Sequence, residues 1–242
     1  MIVALLHPGR MGAAIGEALQ SNGHEVLWAS EGRSDETRAR AVAFRDLGTV
    51  AALLGEAELV LAVCPPHAAL DVAQTCAGFD GTYLDANAVS PMRAAQIAAL
   101  QPRYVDGGIV GPPPRAPGDT RLYLSGDGAE SVASLFAGSV VDARVVPDAS
   151  ALKMAYAAWS KGTAALLLAL RDVSRHFGVA DALAAEWRLS QPELFDRLAR
   201  AERSAASKGW RWAGEMEEIA DTFEAAGSPA GFHRAAAEVY RT

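Results

Sequence analysis

Short apolar runs alternate with helix-patterned stretches through residues 1–147, and beyond that point the alternation stops. The runs are Ile2–Leu6, Glu25–Ser30, Leu59–Val63, Thr82–Asp85, Tyr104–Ile109 and Arg121–Leu124. Helices are expected between them over Gly12–Gln20, Asp35–Ala43, Val50–Leu54, Ala68–Cys76 and Pro91–Leu100. Runs such as IVALL and ELVLAV lack polar alternation, which marks strands covered on both faces. Strands and helices of these lengths therefore predict an α/β chain with a doubly wound parallel sheet.

From Ala151 onward Ala, Leu, Glu and Arg dominate, a helical composition. One long helix is expected over 151–177, capped by Asp148 or Ser150. Shorter ones follow over 180–187, 191–205, 213–226 and 231–240, divided at Ser190-Gln191-Pro192, Lys208-Gly209 and Gly227-Ser228-Pro229. The expected organisation is a sheet domain over 1–147 and an all-α domain over 148–242.

A net charge of -7 removes a global electrostatic footprint for nucleic acid. Two cysteines without CxxC spacing argue against a disulfide framework or a structural zinc site, and reduced cytoplasmic thiols fit better. No metal spacing such as H-E-x-x-H occurs, so no metal is expected. The most apolar stretch, AYAAWSKGTAALLLAL (155–170), contains Lys161 and falls short of the ~20 residues of a membrane span. It reads as a buried helix, and the chain as soluble and cytoplasmic, without a membrane partner.

The first strand runs into His7-Pro8-Gly9-Arg10-Met11-Gly12. Against G-x-G-x-x-G, Gly9 and Gly12 match, and His7 takes the place of the first glycine. The middle glycine lets backbone approach a pyrophosphate, the last lets helix and strand pack, and the helix amides face the phosphates. After the second strand, at Ser30, Glu31 is followed by Gly32, Arg33 and Ser34, with Arg38 one turn on. A guanidinium beside a hydroxyl at a helix start suits a 2′-phosphate, so NADP is favoured over NAD. The alternative is that both arginines are merely solvated.

Together these segments resemble the β-hydroxyacid dehydrogenase and 6-phosphogluconate dehydrogenase-like superfamily, to which imine reductases belong. GRMGAAIGEALQSNGHEV is similar to its G-x-M-G opening, and VLAVCPP, with Cys64-Pro65-Pro66, to its cofactor-facing loop. YLDANAVSP resembles its D-x-S-T-x-x-P segment, YVDGGIVGPP its D-A-P-V-S-G-G segment, LYLSGDG its later glycine-rich strand end, and ALKMAYAAWSKG its Lys-x-x-Asn-Asn helix. The tail from Trp212 looks like the short helical domain of a poorly characterised oxidoreductase branch. The resemblance implies a Rossmann domain, a long interdomain helix, a homodimer formed through the helical domain, and an active site between the domains. With the residues read above, the expected cofactor set is Gly9, Arg10, Met11, Gly12, Ser30, Arg33, Ser34, Cys64, Pro65, Pro66 and Asn87. The substrate set is Gly108, Val110, Gly111, Ser160 on the Lys153 face of its helix, and His233, either brought to the cleft by a partner subunit or a surface or capping residue.

The same resemblance makes Lys153 the acid or base beside the carbon that exchanges hydride. A lysine in the first turns of a helix, among apolar residues, is pushed toward its neutral form by desolvation and by the helix dipole. Tyr156 stands where the family has its first asparagine, either relaying a proton or packing in the core. Asn87-Ala88 replaces the Ser-Thr pair and Val110 the serine of V-S-G-G, which favours a carbonyl or imine over a 3-hydroxy acid; Asn87 is still expected in the catalytic set, bonding the nicotinamide ribose or the substrate. The expected activity is an NADP(H)-dependent oxidoreductase acting on a small carbonyl or hydroxy compound. Imine reduction and a non-catalytic NADP-sensing dimer are the alternatives.

Overall fold

The computed structural model describes residues 1–241. The chain divides into two compact units, residues 1–153 and 154–242, with the division inside one long helix.

The first unit is built on an eight-stranded sheet. Its strands are β1 (Ile2–Leu6), β2 (Glu25–Trp28), β3 (Arg45–Asp46), β4 (Leu59–Ala62), β5 (Thr82–Asp85), β6 (Tyr104–Val110), β7 (Thr120–Ser125) and β8 (Val141–Val145). The spatial order is β3-β2-β1-β4-β5-β6-β7-β8. The first six strands pair in parallel, β7 runs antiparallel to β6, and β8 pairs in parallel with β7. Six helices serve this sheet: α1 (Arg10–Ser21), α2 (Asp35–Arg40), α3 (Val50–Glu56), α4 (Ala69–Gln74), α5 (Pro91–Ala98) and α6 (Ala129–Ser134).

The unbroken apolar runs are explained by two dry layers. Successive side chains of a strand point to opposite faces. Val3 and Leu5 accordingly join one cluster with Ile15, Leu19 and Phe44, while Ala4 and Leu6 join the other with Leu27, Leu53 and Val60. Burying each large aliphatic side chain contributes roughly 1.5–3 kcal/mol. Two strands and one helix were not expected from the sequence. β3 has only two residues, Arg45 and Asp46, both exposed, whereas β8 is an edge strand of mixed polarity, VDARV. α6 is a single short helix of small residues.

The long helix α7 spans Ala149–His176, followed by α8 (Ala180–Ser190), α9 (Leu194–Ala225) and α10 (Gly231–Val239). Asp148 is the side chain that caps α7, accepting from the Ala151 N–H at 2.7 Å. Ser150 does something else: its N–H and hydroxyl both donate to Asp106, each at 2.7 Å. The break expected at Lys208-Gly209 does not occur, because α9 runs through it. Gly209 is buried, and a Cβ there would lie 3.3 Å from the Tyr240 carbonyl oxygen. Packing on α10 thus outweighs the ~1 kcal/mol helix penalty of glycine. Lys161, which interrupts the apolar stretch of α7, forms a buried ion pair with Glu215 of α9. Among the described residues no helix is long and apolar enough to cross a membrane.

Candidate active site

In a parallel sheet of this order the crevice for ligands opens at the carboxyl ends of β1 and β4, where the strand order reverses. The turn from β1 into α1 occupies that place. His7, at the first-glycine position, has φ +62°, the one positive φ of a non-glycine residue among those described. The position therefore demands the left-handed conformation that glycine adopts freely and histidine tolerates at a cost. The Gly9 N–H closes the turn on the His7 carbonyl at 2.6 Å. Burial, reinforced by the nearby Arg33 charge, lowers the His7 pKa to about 4. Its Nδ1 is buried without a hydrogen-bond partner.

The two retained glycines answer different needs. A Cβ on Gly12 would meet the His7 carbonyl oxygen at 3.1 Å and Leu5 and Val63 at 3.5 Å, so Gly12 is required by packing. A Cβ on Gly9 would have only the His7 oxygen within reach, at 3.9 Å. No packing inside the chain demands a glycine there, which leaves open space for a ligand. Gly9 precedes α1 and provides no side-chain cap, so the first-turn amides of the helix are offered to an anion. These features fit a dinucleotide pyrophosphate. Arg10 is exposed beside the turn, whereas the Met11 side chain packs against the core.

Three arginines gather where β2 ends. Arg38 donates to the Ser30 carbonyl at 2.8 Å, and Arg40 donates to the Pro8 carbonyl at 3.3 Å while pairing with Glu36 at 2.6 Å. Arg40, which the sequence reading passed over, thus ties α2 to the glycine turn. Arg33 is half-buried, its Nε has no hydrogen-bond partner, and burial lowers its pKa. It is the guanidinium of the three that is left for a phosphate. The Ser34 hydroxyl caps α2 by accepting from the Thr37 N–H at 3.3 Å. The Ser30 N–H is held by Asp46 at 3.1 Å.

At the ends of β4 and β5, Asn87 acts as a clip. Its Oδ1 accepts from the Cys64 N–H at 2.5 Å, and its Nδ2 donates to Asp85. This buried amide fixes the Cys64-Pro65-Pro66 turn against β5. Burial and the Asp85 charge push the Cys64 thiol up to about 12, so it stays a neutral thiol. Beside it, Asp106 of β6 accepts the Ser150 N–H and hydroxyl and the Ser125 hydroxyl, the last at 3.2 Å. Ser125 in turn accepts from the Ala149 N–H at 3.0 Å. Burial raises the Asp106 pKa, and the Ser150 hydrogen bonds oppose the rise. Asp106 and Ser125 together anchor the first turn of α7. Their segments were noticed in the sequence, but the pairing of β6 with β7 was needed to bring them together.

That anchoring sets Lys153. Its Nζ donates to the Ile109 carbonyl at 2.6 Å, near the carboxyl end of β6. Gly108 permits the approach, since a Cβ there would lie 2.8 Å from the Ala149 oxygen and 2.9 Å from Lys153 Cβ. Gly111 turns the chain after β6 with φ +121°. Val110 is 2 % exposed, and its side chain fills the core, so only its backbone remains for a substrate.

Within the helical unit, Tyr156 is exposed rather than a core residue, and it lines a groove with Ser160. His233 is buried, with its ring 4.2 Å from that of Phe223 and 5.2 Å from that of Phe232. Burial lowers its pKa. In this unit the His233 ring packs beside Gly162 of α7.

Comparison with solved structures decides the fold. A conserved protein of unknown function, described as structurally similar to 3-hydroxyacid dehydrogenases, superposes with a TM-score of 0.72 at 24% identity, covering 100% of this chain and 97% of the other. The 3-hydroxyisobutyrate dehydrogenase of Mycobacterium tuberculosis, solved with L-serine, gives a TM-score of 0.67 at 16% identity over 99% and 92% of the two chains. The chain has the 3-hydroxyacid dehydrogenase-like fold. The reductive aminase of Aspergillus terreus, solved with NADPH and ethyl levulinate, shares this fold at a TM-score of 0.59 and 20% identity, over 99% and 92% of the chains. Residues 175–242 match a domain of unknown function, DUF1932. An uncharacterised 28.5 kDa protein of Methanothermus fervidus is 29% identical over 167 residues, which span 66% of this chain and 65% of that protein.

Proposed function

We propose that this chain is an NADP(H)-dependent oxidoreductase acting on a small carbonyl, hydroxy or imine compound, with Lys153 as general acid or base. The observation that carries the reading is the entry to α1, where an open Gly9 edge meets uncapped helix amides at the reversal of strand order. Gly9, Arg10, Met11 and Gly12 would hold the pyrophosphate, mainly through backbone. Arg33 would take the 2′-phosphate, with Ser30 and Ser34 at its rim. The Cys64-Pro65-Pro66 turn, fixed by Asn87, would border the nicotinamide ribose. NADPH, when bound, supplies the hydride. The chain's own part is proton transfer and positioning: Ile109 holds Lys153 Nζ at the strand end, and Asp106 fixes the helix that carries it. The NADPH complex of the Aspergillus terreus reductive aminase supports this reading.

The test is a fluorescence titration of NADPH against NADH, followed by turnover on a panel of carbonyls, hydroxy acids and cyclic imines. Lys153→Met is expected to bind NADPH normally and to lose turnover on any active compound. Retained turnover would take the lysine out of the mechanism, and no saturable binding of either nucleotide would end the proposal.

A homodimer through the helical unit belongs to the same reading. Leu166, Leu170 and Val173 of α7 and Phe177 just beyond its end follow one another at four, three and four residues, and all four are exposed. That is the spacing of a helix seam that packs on another helix. A monomeric mass by light scattering at micromolar concentration would refute it. Both cysteines are free thiols, which supports a reducing, cytoplasmic setting.

A further inference from the structure

We propose that the helical unit carries a binding site for an organic carboxylate with an aromatic or cyclic apolar body. α7 and α9 enclose a groove of about 400 Å³, within the range of small-molecule sites. Trp159 and Trp212 supply aromatic walls, Leu167 and Ala201 an apolar floor, and Arg197 and Arg200 the charge. In this unit Lys161, Arg171, Arg211, Arg234 and Arg241 each lie against a carboxylate, and of the cations without one, such as Arg203 and Lys208, Arg197 and Arg200 are the two that line the groove. Among the described residues neither of these two guanidinium groups has an ion pair or a side-chain hydrogen bond.

Three residues apart on α9, these two side chains share one helix face. A pair of planar guanidinium groups matches a carboxylate through parallel N–H donors. The rest of the groove offers stacking and apolar contact, which suits a carbon ring and not a bare inorganic anion. Two hydroxyls at the groove are already spent on the helix backbone. Thr163 donates to the Trp159 carbonyl at 2.7 Å and Ser160 to the Ala157 carbonyl at 3.5 Å. The charge for the polar end comes from the arginines, with the Tyr156 and Ser204 hydroxyls at the same groove. The chain as a whole carries a charge of -7, so an anion gains entry through this local pair and not through the general field. The groove shares Tyr156 and Ser160 with the residues expected at the substrate, and binding of an acid without nucleotide does not depend on the cofactor reading.

The experiment titrates the full chain, without nucleotide, with benzoate, phenylacetate and 3-phenylpropionate while following tryptophan fluorescence. At least one acid is expected to give a saturable change, with its neutral amide at least tenfold weaker. The exposed double variant Arg197→Gln, Arg200→Gln should weaken the acid at least tenfold and leave NADPH affinity and the circular dichroism spectrum unchanged. Trp159→Ala should reduce the fluorescence response and the affinity together. Equal affinity for acid and amide, an unaffected arginine variant, or no saturation by any of the three acids overturns the site. A further arm replaces phenylacetate with phenylpyruvate in the presence of NADPH. Oxidation of NADPH, with the keto group taking the hydride and a proton to become the hydroxy acid, marks the ligand as substrate if it is lost in the arginine variant. Binding without NADPH oxidation marks it as an effector; both support the site, and no binding of phenylpyruvate overturns it.

Discussion

His7→Asn tests how a histidine can stand where the turn requires a left-handed backbone. Asparagine tolerates that conformation and does not titrate, so the exchange removes the ring's ionisation while keeping the backbone accessible. In the folded chain the His7 pKa is about 4, against an ordinary value of 6.5. The folded state therefore binds fewer protons than the unfolded state between these values. Stability from this group is complete above pH 6.5 and is lost as the pH falls toward 4. At ~1.36 kcal/mol per pH unit, the full displacement corresponds to about 3.4 kcal/mol, of which about 2.5 kcal/mol is lost by pH 4.5. His7 is only partly buried, and screening about halves that figure, to about 1.3 kcal/mol. Urea denaturation at pH 7 and pH 4.5 should then show the unmodified chain losing about 1–1.5 kcal/mol more than His7→Asn. The paired comparison cancels the carboxylates, which are common to both proteins. Parallel losses, within about 0.3 kcal/mol, would show that the His7 ring is not held neutral and would refute the reasoning.

Gly9→Val should leave the melting temperature nearly unchanged while weakening NADPH at least tenfold, whereas Gly12→Val should destabilise the fold itself, because its Cβ meets the His7 carbonyl oxygen; the two are separated by thermal melts and nucleotide titration. Arg33→Ala should weaken NADPH at least tenfold and leave NADH within twofold, read by fluorescence titration. Gly108→Ala forces Ala149 and Lys153 away from β6 and should cost about 1–3 kcal/mol in denaturant unfolding, as overpacking does. Lys161→Met removes one partner of a buried ion pair and should cost about 3 kcal/mol, with much of it recovered in the double variant Lys161→Met, Glu215→Leu.

The sheet was readable because its signal is local. An unbroken apolar run such as IVALL or ELVLAV needs cover on both faces, and the helices between the runs provide it. β3 and β8 escaped because edge strands bury little, and their residues carry no apolar pattern. The break wrongly expected at Gly209 has the opposite cause. Glycine is a local helix breaker, but a distant element, the end of α10, is what requires the small residue. Gly9 and Gly12 were both visible as a motif, yet the reason for each became separable only when their surroundings were known.

The site followed the same division. The sequence by itself determined which residue types reach the strand ends: the glycine turn and Arg33 follow from short spacings along the chain, and Asn87 and Lys153 from segments that resemble the family's motifs. Only the tertiary structure decided what each side chain is free to do. It gave the Asn87 amide to Cys64 and Asp85, the Ser34 hydroxyl to the cap of α2, and Ser150 to Asp106, while leaving the Arg33 Nε without a partner. Spacing along a chain fixes which groups share a helix face or a turn. Whether such a group is already hydrogen-bonded depends on residues far away in sequence, as when Asp106 meets Ser150 across the first turn of α7.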